Sequence, residues 1–195
     1  SRRGIEHVHH FYSTRNLAMF SLLWTKASSN KALSSRLKFW LESVALGFTK
    51  LNRFFSSSYS QVNRYLKGTL YVAPVIAEVS PNYALLGKIG VASSLSYATV
   101  GSTAISTSSA SNLSLQSNCV DYIFIDPPFG RNLMYGELSY VWEAWLRVRT
   151  ERAQEAIVDE TQSKSLTSFH QAMRNGFQEA YRMLRPGRWM TVEFH

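Results

Sequence analysis

The sequence predicts an α/β fold built on a parallel sheet and preceded by a mostly helical, basic segment. Three observations predict it. Val120-Asp121-Tyr122-Ile123-Phe124-Ile125 is a near-continuous apolar run, the kind that a parallel sheet buries on both faces. Two stretches at helical spacing follow, then a second strand-like run, Trp189-Met190-Thr191-Val192-Glu193-Phe194. Strand, helix, helix, strand is the order of a crossover connection. Ahead of this lies a region whose apolar residues recur at helical spacing. The expected division is a helical basic segment over 1–68, a short strand and connector over 69–91, and a partial catalytic core over 92–195.

Taken in order, residues 1–12 are short and aromatic, with a cluster at His7, His9 and His10. Ser13 or Thr14 can cap a helix that begins near Arg15. Leu17, Phe20, Leu23 and Trp24 then share one face. A second helix is predicted from about Ala32 to Phe55, with Leu37, Trp40, Leu41, Val44, Phe48 and Leu51 on its apolar side. A run of serines from Ser56 ends it. Thr69–Val72 reads as a short strand closed by Pro74. Ala92–Ser117 is rich in Ser and Thr and reads as a linker or, in our preferred reading, as a strand around Ala98–Ile105. After the apolar run come helices over about Glu137–Arg147 and Lys164–Leu184, the second stopped by Arg185-Pro186-Gly187. A doubly wound sheet does not normally finish at such a strand, so the chain is expected to be a fragment of a longer protein.

Charge separates the two halves. Residues 1–119 hold 12 Lys and Arg against 3 Asp and Glu, whereas residues 120–195 hold 9 against 10. A cationic half is expected to track the phosphates of a polyanion, with an ordinary basic surface as the alternative. No apolar run reaches the roughly 18 residues of a membrane span. The single cysteine, Cys119, excludes an internal disulfide framework and, with no apolar stretch of signal type after Gly4, gives a cytoplasmic expectation. The three histidines lack cysteine or carboxylate partners at ligand spacing, so no metal is expected. Trp142 and Trp145, three apart on a helix, read as core.

The chemistry is carried by Asp126-Pro127-Pro128-Phe129 at the carboxyl end of the apolar run. Ligands of open α/β sheets bind outside those ends. Adjacent prolines lack N–H donors and hold φ, so the loop is stiff and offers carbonyl acceptors. A carboxylate, rigid carbonyls and an aromatic ring make a socket for a flat group bearing an NH2. A base inside a duplex reaches such a socket only by flipping out.

This tetrapeptide resembles the (D/N/S)PP(Y/F) motif of amino-group methyltransferases. Asp121–Leu138 and Trp142–Leu146 resemble a bacterial family of large adenine-specific DNA methylases. The similarity resumes at Tyr181–Phe194 and touches Gly4–Tyr12, Arg15–Leu17 and Gly68–Val72. The resemblance implies a Rossmann-like class I methyltransferase core, S-adenosylmethionine as cofactor, and DNA as partner, in a restriction-modification or other defence setting. It implies a catalytic role for Asp126, Pro127, Pro128 and Phe129. It places Asp126 between cofactor and target base, and Ser109 and Ala110 in the cofactor loop, where Ser109 stands in place of a frequent acidic residue. Arg131, Asn132 and Tyr135 become candidates for DNA contact, with a solvated surface loop as the alternative. The family's FxGxG cofactor loop occurs nowhere in residues 1–195, and Gly87-Lys88-Ile89-Gly90 has the wrong context, so half of the cofactor site is expected upstream of Ser1. Two other readings stay open: an RNA base amino-group methyltransferase, and a nucleic-acid-binding module with a degenerate methyltransferase fold.

Overall fold

The computed structural model describes residues 5–56, 66, 68–94, 102–131 and 133–194. In chain order the elements are α1 (Thr14–Ser29), α2 (Ser34–Val44), α3 (Pro81–Ser94), β1 (Val120–Ile125), α4 (Tyr135–Leu138), α5 (Tyr140–Leu146), α6 (Leu166–Met183) and β2 (Leu184–Val192), with one short 3-10 turn before α1 and three between later elements. They form two compact units, Ser1–Ala98 with Glu137–Thr150, and Thr99–Gly136 with Glu151–His195. Residues 137–150, expected within the second part of the chain, therefore belong to the first unit.

The first unit is helical. Ser13 caps α1 by accepting from the Asn16 amide at 3.3 Å. Phe20 on α1 is fully buried. Its ring meets Phe48 at 5.1 Å and Trp145 at 4.7 Å between centroids. Trp145 also donates to the Tyr12 hydroxyl at 2.9 Å, and Trp142 donates to the Glu42 carbonyl at 3.1 Å. Both tryptophans pack against the core, as their spacing predicted. The rings of His7, His9 and His10 pack on one another, with centroids 4.4 to 5.4 Å apart. Among the described residues no group of three or more His, Cys, Asp or Glu could hold a metal ion. No helix among them is long and apolar enough to cross a membrane.

The second helix is shorter than its periodicity predicts. It ends at Val44 and passes through a 3-10 turn over Ala45–Phe48. Side chains explain the stop. Buried Asn52 donates to the carbonyls of Leu46, Gly47 and Thr49, and the Thr49 hydroxyl also donates to Leu46. These bonds satisfy carbonyls that a continuing helix would have used. Leu51 and Phe48 still face the core, so the apolar pattern survives without the helix.

Two further expectations are corrected. Thr69–Val72 has no regular structure. The pairing nearby joins Arg53 to Ile76 in an antiparallel bridge, with Ala77 donating to Asn52 at 3.0 Å. The connector over 69–91 contains most of α3, which starts on Pro81, a residue suited to the first helical position. This helix has apolar residues around its whole girth, with Leu86, Ile89 and Val91 exposed, and Gly87 and Gly90 interrupt its pattern. Gly87-Lys88-Ile89-Gly90 is thus helix interior and not a phosphate loop.

Burial pushes the Tyr12 hydroxyl up to about 12 from the ordinary 10.0, while the Trp145 N–H acts the other way. A raised value means that the neutral hydroxyl stabilises the fold fully below the unfolded value, and that this contribution is lost as pH rises toward the folded one. The first unit is therefore expected to keep its stability up to about pH 10 and to weaken above it. Denaturant unfolding followed at stepped pH checks this: the Tyr12→Phe variant should lose that part of the alkaline decline.

The second unit holds the crossover. β1 and β2 pair in parallel, with Tyr122 beside Trp189, Ile123 beside Met190, Phe124 beside Thr191 and Ile125 beside Val192. In chain order α4, α5 and α6 lie between them, α5 within the first unit, so the strand-helix-strand order is as predicted. β2 starts earlier than expected, directly after α6, and takes in Arg185-Pro186-Gly187. The register shifts there, and Gly187 sits at φ 74°, a left-handed conformation that glycine adopts without strain. At the opposite end from the site, Asp121 accepts two bonds from Arg185 at 2.9 Å and one ion pair from Arg188 at 3.1 Å. Arg182 gathers the chain before β1: it bonds the carbonyls of Leu113 and Leu115 and pairs with Glu179. That pairing, with the Leu113 amide, holds the Glu179 carboxyl at about 2.

Burial of β1 on both faces is not observed. Tyr122 is 55%, Phe124 58% and Trp189 78% exposed, and all three share one face of the sheet. Ile123, Ile125 and Met190 on the other face are half-buried. The pair is the only sheet among the described residues, so one of its faces is open. The expected strand over 98–105 lies outside the described residues up to 101, and 102–105 have no regular structure. The structure is thus a mixed helix and strand fold with a small two-stranded parallel sheet.

Candidate active site

The carboxyl ends of β1 and β2 lie side by side because the strands are parallel. The pairing reaches past β2: the Glu193 amide donates to the Ile125 carbonyl at 2.9 Å. The chain then leaves β1 through Asp126-Pro127-Pro128-Phe129. Asp126 is exposed, Pro127 is buried, and Pro128 and Phe129 are half-buried. Neither proline can donate a hydrogen bond, so the acceptors at this end are not offset by local N–H groups.

The far end of the loop is anchored as well. Gly130 is buried, with φ 79°. It bridges to Ile157, and its carbonyl accepts from the Val158 amide at 3.3 Å. A side chain at 130 would be strained by the backbone conformation alone. Four residues are therefore held between two backbone anchors, one on β2 and one on the 157–158 segment. Such double fixing is what keeps a short loop in one conformation.

Phe129 meets Phe194 edge-on, with 5.8 Å between centroids. It also forms one wall of an open cavity of about 570 Å3, whose other walls include Val158 and Phe169. Arg131, Glu160 and Lys164 line the rim. Arg131 pairs with Glu160 at 3.2 Å, both side chains largely exposed. Lys164 is tied down by donating to the carbonyls of Arg152 and Glu155. Tyr135 is exposed at the start of α4, and the next amide, Gly136, donates to Glu155 at 2.8 Å. Asn132 lies outside the described residues.

Ser109 and Ala110 are placed elsewhere. They form a turn closed by the Asn112 amide on the Ser109 carbonyl at 3.1 Å, and the Ser109 and Ser111 hydroxyls meet at 2.9 Å. The Ala110 methyl lies against α6 at Gly176, 4.0 Å from where a Cβ would stand. Neither residue lines the cavity beside Phe129.

The structure thus gathers Asp126, Pro127, Pro128, Phe129 and Arg131 at one strand end. It adds residues that sequence reasoning missed: Phe194, Phe169, Val158, Glu160 and Lys164. For Phe194 a signal existed, since a parallel partner strand must end beside β1. For Val158 and Glu160 there was none, because they lie in irregular chain. Chemically, the loop presents a carboxylate and stiff carbonyl acceptors next to an aromatic ring. That set can hold and orient a planar donor group. In the first unit, Lys26, Lys31, Arg36 and Lys88 are exposed, which puts part of the basic half's charge at the surface. No protein-family model, curated protein or solved structure matches this chain.

Proposed function

We propose that the chain is part of an S-adenosylmethionine-dependent methyltransferase that modifies the exocyclic amine of adenine in DNA. One observation carries the reading. The Asp126–Phe129 loop stands at the carboxyl end of a strand in a parallel, helix-crossed pair, with its carboxylate exposed and its prolines packed.

S-adenosylmethionine is the methyl donor that this reading requires. Its fit to the described residues is partial: Asp126 stands at the strand end, whereas Ser109 sits in a local turn and Ala110 lies against α6. The rest of the mechanism concerns the chain's own groups. The Asp126 carboxylate and the Pro127 carbonyl accept the two amine hydrogens of a flipped adenine. The amine's lone pair then points out of the ring plane. Phe129 stacks on the base and keeps it in place. No strong base is needed, because the amine sheds its proton once methylation has made it acidic. Asp126 works by orientation and electrostatics.

Two outcomes follow. Phe129→Ala should weaken base capture by roughly 1–3 kcal/mol, the worth of one stacked base, while Phe129→Tyr keeps the ring face and should bind as the parent does. Fluorescence anisotropy with an adenine-containing oligonucleotide measures both. DNA affinity should also fall steeply with salt, in proportion to the phosphates neutralised by the basic half. A flat dependence in a salt titration would remove residues 1–119 from the DNA contact.

The placement of Ser109 and Ala110 favours a second reading, a nucleic-acid-binding module that keeps the strand-end loop without holding a cofactor. Calorimetric titration of the intact protein with S-adenosylmethionine separates the two. Saturable binding supports the enzyme. DNA binding without cofactor binding supports the module.

A further inference from the structure

The mechanism above uses one wall of the cavity beside Phe129, the ring that stacks on the target base, while the amine meets Asp126 and the Pro127 carbonyl and the other walls take no part. Neither of those residues lines it. We propose that this cavity takes a second, unstacked nucleobase, the neighbour of the one presented to Asp126, and so gives the protein a contact outside the target base. The inference rests on the nucleic-acid reading of the same strand end.

The cavity's volume, about 570 Å3, falls in the roughly 300–1,000 Å3 range of small-ligand sites. Its walls are apolar and partly aromatic: Phe129, Val158, Leu166 and Phe169. Phe169 is buried, so that wall is held by the core. Flat apolar rings gain most from such surfaces, and every base has a face to offer. The rim supplies the charge a nucleotide needs. Among the described residues Arg131 pairs with Glu160, both side chains largely exposed, a contact worth little in water. A phosphate can take the guanidinium from that carboxylate, with bidentate geometry in its favour. The glycine at 130 lets the backbone turn between the loop and the cavity. An isolated base satisfies the walls alone, whereas a nucleotide satisfies both walls and rim.

The test compares two single strands of equal length and charge, an eight-residue deoxyadenosine oligomer and its fully abasic counterpart, against the intact protein and its Leu166→Trp variant. Leu166 is exposed on the cavity wall at the start of α6, so an indole there fills the space without entering the core. The parent should prefer the base-bearing strand by about tenfold or more, the scale of one stacked base. Leu166→Trp should reduce that preference by about fivefold or more, the scale of losing one stacked base, while leaving affinity for the abasic strand unchanged. Equal binding of both strands by the parent would overturn the cavity proposal and leave the nucleic-acid partner standing. A preference undiminished by Leu166→Trp would also overturn it, placing base recognition at Phe129 alone. If neither strand binds, the nucleic-acid reading fails and takes the cavity proposal with it.

Discussion

Asp126→Ala should cut methyl transfer by about a hundredfold or more, the scale of removing one preorganised electrostatic contact. The expectation follows from the way the carboxylate is held. β1 ends in a backbone bond from Glu193 to Ile125, and the adjacent Pro127 is buried, so the backbone that carries Asp126 is held on both sides. A group fixed in advance costs nothing to reorganise when the reaction needs it. Asp126→Asn gives a sharper comparison. It retains one acceptor but adds an N–H donor facing the amine, so part of the activity should return. Asp126 is exposed, and substitutions at such sites change stability by about 0.5 kcal/mol or less. The Asp126→Ala protein should therefore unfold at the parent's denaturant midpoint. Initial rates at saturating DNA, with that midpoint as control, check both statements.

The largest structural effect is expected at Phe20. Phe20→Ala should destabilise the first unit by about 3–5 kcal/mol, the cost of emptying a fully buried aromatic site. Four rings surround it: Tyr12, Trp24, Phe48 and Trp145. They come from α1, α5 and the segments at 12 and 48, and each would lose a ring contact at once. A loss of this size approaches the whole stability of a small domain, about 5–15 kcal/mol. Tryptophan fluorescence reports the transition directly, because Trp24 and Trp145 flank the site. Phe39→Ala supplies the contrast: Phe39 is 55% exposed and should change stability by about 0.5 kcal/mol or less.

How far these features were legible in the sequence depends on which force decides each one. Ser13 acts as a cap where its position before an apolar period predicted a helix start, and the start expected near Lys164 falls at a cap on Ser165. β1 and α6 were legible for a related reason: a dense apolar run and a long amphipathic period leave few alternatives. The end of α2 was not legible, because Asn52 and Thr49 terminate it through side-chain bonds that only tertiary contact creates. α3 was hidden by its composition, since two glycines and apolar residues on all sides erase the period that marks a surface helix. The sheet's open face was misread because an apolar strand reads as doubly buried whether or not a second layer covers it.

The site divides in the same way. Asp126, Pro127, Pro128 and Phe129 could be placed at a strand end because their type and position are local facts. Phe169 and Val158 come to the same place through the Gly130–Ile157 bridge, which no pattern announces. Ser109 and Ala110 were assigned by likeness alone. The structure sets them in a turn whose Ala110 methyl lies against α6 at Gly176.

The most direct test of the central claim is transfer of a labelled methyl group from S-adenosylmethionine to DNA by the intact protein, followed by separation of the product nucleosides. The account predicts label on the adenine amino group, lost with Asp126→Ala and retained with Phe129→Tyr. Label on the cytosine amino group would keep the mechanism and reject adenine as the target. Label on cytosine C5, or full activity in Asp126→Ala, would contradict the account.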